Sequence, residues 1–264
     1  MTTPSSISPW PVLIEPLPLS RETVHVVRVE LQADDATLDR LKLLLSPDEV
    51  ARADRFKVPQ PRRHFIICRA VLRRLLGSCL NCRPAEVEFE FGPHGKPALK
   101  PSSTHEPTQT PAIEFNVSHS ADQALIAITL GRLVGVDIER MDPAVRILKL
   151  AQRFFSPREA TELANLPETD QLAGFYRGWT CKESYLKATG FGLSFPLNKF
   201  SVSLNPHQPP ALIDVIDQPE ELDRWKLSVL ESLPNFSAAI MFETGRTDIV
   251  ALRQWFVDSS GHSQ

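Results

Sequence analysis

The chain has 264 residues, 42% hydrophobic and 23% charged, with 23 prolines, 11 glycines and four cysteines; this mixture excludes a collagen-like, coiled-coil or wholly disordered chain, and the length suffices for a core without disulfides. The formal net charge of −3 gives by itself no expectation of a nucleic-acid or membrane partner. The longest clear apolar run, Ala124–Ile128, is far too short to span a bilayer, and no basic stretch precedes an apolar one near Met1, so a cytoplasmic protein is expected.

Thr23–Leu31 reads as a strand. In Leu45-Ser46-Pro47-Asp48-Glu49, Ser at N-cap, Pro at N1 and Glu at N3 mark a helix start. A second, amphipathic helix follows at about 62–76, with Phe65, Cys68, Leu72, Leu75 and Leu76 on one arc. Arg69 falls inside that arc, Arg62 and Arg73 on its border, and Arg63 and Arg74 opposite. A guanidinium in an apolar arc needs a fixed anion; a ligand phosphate and an internal carboxylate are both open. From Val50 to Arg83 the sequence carries Arg52, Arg55, Lys57, Arg62, Arg63, Arg69, Arg73, Arg74 and Arg83 against the single acid Asp54. Such a basic segment on an acidic protein suggests a bound phosphate or an acidic protein partner, although Arg63 and Arg74 read better as solubilising charges. Cys79-Leu80-Asn81-Cys82 has no second pair to complete a zinc site and no redox context, so reduced thiols are expected.

Further strands are expected at Ala85–Phe91, Ile113–Ser118, Ala124–Leu130 and Leu133–Glu139, with an exposed proline-rich insertion at Pro101–Pro111. Gly131-Arg132 looks like the two-residue loop of a hairpin joining the last two strands. On the second of them Val136 and Ile138 face one side, Asp137 and Glu139 the other. Phe155-Ser156-Pro157-Arg158-Glu159 repeats the earlier capping grammar 110 positions on. The helix at about 172–189 places Leu172, Phe175, Tyr176, Trp179 and Leu186 on its apolar face, with Glu183 at the centre of that face and Lys187 one turn later. A buried carboxylate is paired, protonated or bound to metal. A solvated acidic strand face is the commoner reading of Asp137 and Glu139, but with Glu183 they offer three oxygen ligands of the kind Mg²⁺ takes beside phosphate and water. Arginines for phosphate and carboxylates for Mg²⁺ imply a phosphoanhydride substrate.

Lys199–Leu204, Trp225–Leu230 and Phe236–Phe242 complete the strands, and each matches one about 110 residues earlier. The proline clusters fall between these elements. The expectation is an α+β fold of two similar α/β halves related by pseudo-two-fold symmetry, residues 1–120 and 121–264, with the active site at their interface.

Gly95-Lys96-Pro97, Phe115-Asn116-Val117-Ser118-His119-Ser120, Gly135-Val136-Asp137-Ile138-Glu139 and Trp179-Thr180-Cys181-Lys182-Glu183-Ser184-Tyr185-Leu186-Lys187 occur in the order and with the spacing of one family. In these stretches, and more loosely from about Ser46 to Leu204, the chain resembles the Sfp-type 4′-phosphopantetheinyl transferases. The resemblance implies two α/β halves with a site between them, and transfer of the phosphopantetheine arm of coenzyme A to a serine of an acidic apo acyl or peptidyl carrier protein. Asp137, Glu139 and Glu183 would hold Mg²⁺, with Glu183 also the base for the serine hydroxyl. Lys187 would meet the β-phosphate and assist the leaving group. Ser118 and His119 would contact the nucleotide phosphates and Gly95, Lys96 and Pro97 the adenine edge. Arg69 would meet the 3′-phosphate, and Arg52 matches another basic coenzyme A contact. Glu49 and Phe65 depart from the pattern, standing where some members have a basic and a small polar contact. A monomer, as a pseudo-dimer, with no nucleic-acid or membrane partner is expected. The competing readings are a Mg²⁺-dependent nucleotide phosphodiesterase using the same carboxylates with water, and an RNA-binding protein using the arginine segment.

Overall fold

The protein was analysed as a computed structural model that describes residues 10–13, 16–92, 94–100, 111–192, 195–230, 234–244 and 250–257. Except for Pro111, the expected insertion lies outside the described residues. In chain order the elements are β1 (Thr23–Glu30), α1 (Asp35–Lys42), α2 (Pro47–Asp54), α3 (Pro59–Leu80), β2 (Phe89–Phe91), β3 (Pro97–Leu99), β4 (Ile113–Ser120) and β5 (Gln123–Leu130). They continue as β6 (Val134–Arg140), α4 (Ile147–Phe154), α5 (Pro157–Asn165), α6 (Glu168–Thr189), β7 (Phe200–Val202), β8 (Leu212–Val215), α7 (Glu221–Arg224), β9 (Trp225–Val229), β10 (Phe236–Glu243) and β11 (Ala251–Val257). Among the described residues no helix is long and apolar enough to cross a membrane.

The helix starts behave as their sequences dictate. Ser46 with Glu49, and Ser156 with Glu159, each form a capping box with Pro at the first helical position. Each N3 glutamate is buried and reaches further, to a cation on the long helix that follows. Glu49 meets Arg73 at 2.5 Å, and Glu159 meets Lys182 at 2.8 Å with both side chains fully buried. Both cations also hold carbonyls of the next segment: Arg73 donates to Pro84 and Val87, Lys182 to Phe200.

Of the two larger sheets, one has the order β11-β1-β5-β4 and the other β6-β10-β9; β2-β3 and β7-β8 form two small ribbons. The antiparallel run β1-β5-β4 recurs as β6-β10-β9, and α3 and α6 both contain 22 residues. Side-chain alternation divides the molecule into four layers. Val27, Val29, Ile126 and Ile128 pack under α1–α3. Val24, Val26, Leu125 and Ala127 meet Val134, Val136, Ile138 and Ile240 between the sheets. Ala239 and Met241 pack with Phe175, Tyr185 and Leu186 of α6. The result is helices, sheet, sheet, helices, an α+β arrangement.

Two expectations change. β5 and β6 form no hairpin: β5 already has β1 and β4 on its two edges, so β6 passes into the other sheet beside β10, through Gly131 at φ +69°. A division at 120/121 also cuts the turn between β4 and β5, which share a sheet. In addition, β11 returns to pair in parallel with β1, a strand that has no counterpart among the elements expected from sequence.

The edges of the two sheets are joined by side chains. Along β4, Asn116 Oδ1, Ser118 Oγ and Ser120 Oγ accept the N–H groups of Val136, Ile138 and Arg140 at 2.9, 3.4 and 3.1 Å. Residues two apart on one strand thereby serve alternate amides of another, which would otherwise be orphaned.

Candidate active site

Gly135 lets α6 lie directly on β6. A Cβ there would stand 2.1 Å from the Ser184 carbonyl oxygen and 2.3 Å from the Ala188 nitrogen, so only glycine admits this approach. With Val136 and Ile138 turned into the layer between the sheets, Asp137 and Glu139 take the other face, toward the α6 segment that carries Glu183 and Lys187. Lys187 Nζ donates to Asp137 Oδ1 at 2.6 Å and to Ser118 Oγ at 2.9 Å. Ser118 Oγ in turn donates to Asp137 Oδ1 at 2.8 Å, and Ser120 Oγ to Glu139 Oε2 at 2.7 Å.

Burial pushes the carboxyls of Asp137, Glu139 and Glu183 above their ordinary range. Asp137 raises both glutamates further, and Lys187 opposes the rise at all three. Asp137 Oδ2 is buried with no hydrogen-bond partner. As they lie, no three carboxylate, imidazole or thiolate groups among the described residues converge closely enough to clasp one ion. The donor chemistry nevertheless fits a hard divalent cation: the three carboxylates act on one another electrostatically, all offer oxygen, and one buried oxygen is left unsatisfied.

The other expected residues form two further groups. Arg52 and Arg69 share one aromatic ring, their guanidinium carbons 5.1 and 5.8 Å from the Phe65 centroid, and Arg69 also stacks 5.1 Å from that of Phe89. Glu49 stands 3.4 Å from Arg69, so the anion required by the apolar arc is at least partly internal, while Arg69 Nη1 remains buried without a partner. Arg62, Arg63 and Arg83 likewise find Asp54, Asp35 and Glu86, so much of the basic segment is answered within the protein. Partial burial of the His119 ring, and then the Lys187 charge, push its imidazole down; His64 of α3 in turn feels His119. Gly95, at φ +80°, turns the chain so that Lys96 Nζ donates to the carbonyls of Val134 and Ala188 at 3.3 and 3.2 Å, tying the Gly95–Pro97 turn to the end of α6.

Sequence reasoning missed Gly135 as the close-approach position, Ser120 and Asn116 as partners of β6, and the buried Lys182–Glu159 pair. The β4–β6 contact had a visible signal: Asn-x-Ser-x-Ser at a spacing of two, beside Asp-x-Glu at the same spacing.

Two family models match: the 4′-phosphopantetheinyl transferase superfamily over residues 133–241, and the N-terminal region of 4′-phosphopantetheinyl transferases over residues 32–130. The chain is 39% identical over 224 residues to the 4′-phosphopantetheinyl transferase HetI of Nostoc sp., covering 85% of this chain and 89% of that one. It is 30% identical over 216 residues to a 4′-phosphopantetheinyl transferase of Bacillus subtilis, covering 78% and 90%. With the transferase Sfp of Bacillus subtilis it shares 27% over 202 residues, covering 76% and 84%. The repeated order of elements, the acidic cluster held against α6 and these relatives agree, and the chain belongs to the Sfp-type 4′-phosphopantetheinyl transferases.

Proposed function

We propose that this transferase moves the 4′-phosphopantetheine arm of coenzyme A onto a serine hydroxyl of an acidic apo acyl or peptidyl carrier protein, releasing adenosine 3′,5′-bisphosphate. The observation that carries the reading is the cluster of Asp137, Glu139 and Glu183 around Lys187, with the buried Asp137 Oδ2 unsatisfied. Asp137, Glu139 and Glu183 would hold Mg²⁺, which when bound neutralises charge on the non-bridging oxygens of the coenzyme A pyrophosphate. The chain's own groups supply the rest. Glu183 is only partly buried, and burial raises its proton affinity, which suits a base that takes the proton of the incoming hydroxyl. That hydroxyl attacks the β-phosphorus, and the bond from this phosphorus to the oxygen it shares with the adenosine-side phosphate breaks. Lys187, with Nζ beside Asp137, stabilises the departing charge.

Arg52 and Arg69 around Phe65 supply positive charge for the nucleotide's 3′-phosphate, and His119 a further phosphate contact. Gly95, Lys96 and Pro97 border the adenine. Ser118 fits a direct phosphate contact less well, because its one donor and both lone pairs are already used by Asp137, Ile138 and Lys187. We read the protein as a monomer acting in the cytoplasm, where the four thiols stay reduced. The test is intact-mass analysis of candidate apo carriers incubated with coenzyme A and Mg²⁺. The expected result is a mass increase of one phosphopantetheine arm on the carrier serine. Hydrolysis of coenzyme A without any carrier would replace this reading with a phosphodiesterase.

A further inference from the structure

The row of β4 side chains that joins the sheets has members of two kinds. Asn116 only accepts, from the Val136 amide at 2.9 Å. Ser120 does two things at once: its oxygen accepts the Arg140 amide at 3.1 Å, and its proton goes to Glu139 Oε2 at 2.7 Å. Ser118 repeats the arrangement two residues earlier, with the Ile138 amide and the Asp137 carboxylate. In each case one hydroxyl brackets a carboxylate together with the backbone amide that follows it, so backbone and carboxyl are fixed to the same atom of the neighbouring sheet. We propose that Ser120 is a positioning residue that orients Glu139 toward a divalent cation, with Ser118 serving Asp137 in the same way; this rests on the metal reading of the cluster given above.

The reasoning is electrostatic and geometric. Glu139 is only partly buried, and the charges that act on it are the Asp137 carboxylate and the Lys187 ammonium. Left to itself, its carboxylate is drawn away from Asp137 by repulsion. The Ser120 hydroxyl opposes that by holding Oε2 at 2.7 Å, which leaves Oε1 for a ligand. A hydroxyl is suited to this because it donates and accepts at a single atom; Asn116, which serves no carboxylate, uses only an acceptor. Groups that orient metal ligands in this way typically change metal affinity about 10- to 100-fold when removed.

The test is Mn²⁺ binding to the full chain, followed by the loss of the free-ion paramagnetic resonance signal, with melting temperature measured on the same samples. Ser120→Ala is expected to weaken Mn²⁺ binding about 10- to 100-fold, and Ser120→Thr, which keeps the hydroxyl, to restore it. Asn116→Ala is the internal comparison: it leaves the Val136 amide without its acceptor, so melting falls while Mn²⁺ affinity stays within about twofold of the parent. If Ser120→Ala instead resembles Asn116→Ala, with lower melting and unchanged Mn²⁺ affinity, Ser120 is a strand link only and the proposal is overturned. Should Ser120→Ala fail to fold, Thr and Cys at the same position decide the matter, the first expected to bind Mn²⁺ more tightly than the second. Failure of the parent reading is separately visible, as equal Mn²⁺ binding by the unaltered chain and by Asp137→Asn; that result would remove both.

Discussion

Lys182→Met deletes a positive charge from a position with no solvent to replace it. In the parent, Lys182 Nζ lies 2.8 Å from Glu159 with both side chains at 0% exposure, and 4.0 Å from the centroid of the Phe200 ring. Burial pushes the ammonium down and Glu159 pulls it back. At an effective dielectric of about 20 the gross attraction across that distance is about 6 kcal/mol, much of it offset by desolvation. Removing one partner of such a pair typically costs about 3–5 kcal/mol, because the other charge is left uncompensated. With a urea slope of about 3 kcal/mol per molar, the unfolding midpoint should fall by about 1 M or more. The double variant Glu159→Gln, Lys182→Met should recover most of the loss: it removes the stranded charge but keeps an oxygen for the Ser156 or Val202 amide, both of which Glu159 now accepts. Arg83→Met breaks the short but exposed Arg83–Glu86 pair and should leave the midpoint unchanged. Equal effects of Lys182→Met and Arg83→Met, or no recovery in the double variant, would refute the reasoning.

Gly135→Ala drives a methyl into the α6 backbone, so destabilisation of about 1–3 kcal/mol together with loss of transfer is expected from denaturation curves and carrier modification; a fully active, equally stable variant would show that α6 does not lie this close. Asp137→Asn should lower transfer by at least about 100-fold while the melting temperature shifts only slightly, and an unfolded variant would make Asp137 structural. His25 is fully buried and takes the Trp255 indole N–H on Nδ1 at 3.0 Å; burial holds its imidazole below the ordinary 6.5, the Pro18 carbonyl opposing and Arg253 adding to the fall. The unfolded chain therefore binds the extra proton first, so this contribution is complete above about pH 6.5 and is lost as the pH falls toward the folded-state value. Urea midpoints measured from pH 7 to 5 should decline less steeply in His25→Gln, and an unchanged slope would exclude His25 as the group.

The local parts of the fold were legible in the residues because their causes are local. Ser46 and Ser156 announce helices through capping geometry that needs only four residues, and the alternation of Val136, Asp137, Ile138 and Glu139 sets the two faces of β6 without reference to its neighbours. What depended on strand neighbours was not legible. A glycine and an arginine between two apolar runs look like a hairpin, and nothing in those residues says that β5 has both edges taken. A single apolar face accounts for only part of α6: Cys181 and Lys182 are as buried as Tyr185, because the helix is covered by β6 and β10 on one side and by α4, α5 and β7 on others. The charge count of the 50–83 segment also overstated what is available to a ligand. The carboxylates that answer its arginines, at positions 35, 49, 54 and 86, are close in space, and Asp35 is far from its partner in sequence.

β11 carries a consequence for biosynthesis. Its pairing with β1, from Thr23 beside Ala251 to Val29 beside Val257, joins two strands that leave the ribosome far apart in time. Until β11 is made, β1 has β5 on one side and an open, β-branched edge on the other, the kind of edge that recruits stray strands. Contacts so distant in sequence form slowly, so the nascent chain carries that edge unguarded while everything between β1 and β11 is made. Stop codons upstream of Ala251 should accordingly yield aggregates in the cell rather than a smaller working enzyme, even though every residue named in the site would already have been translated.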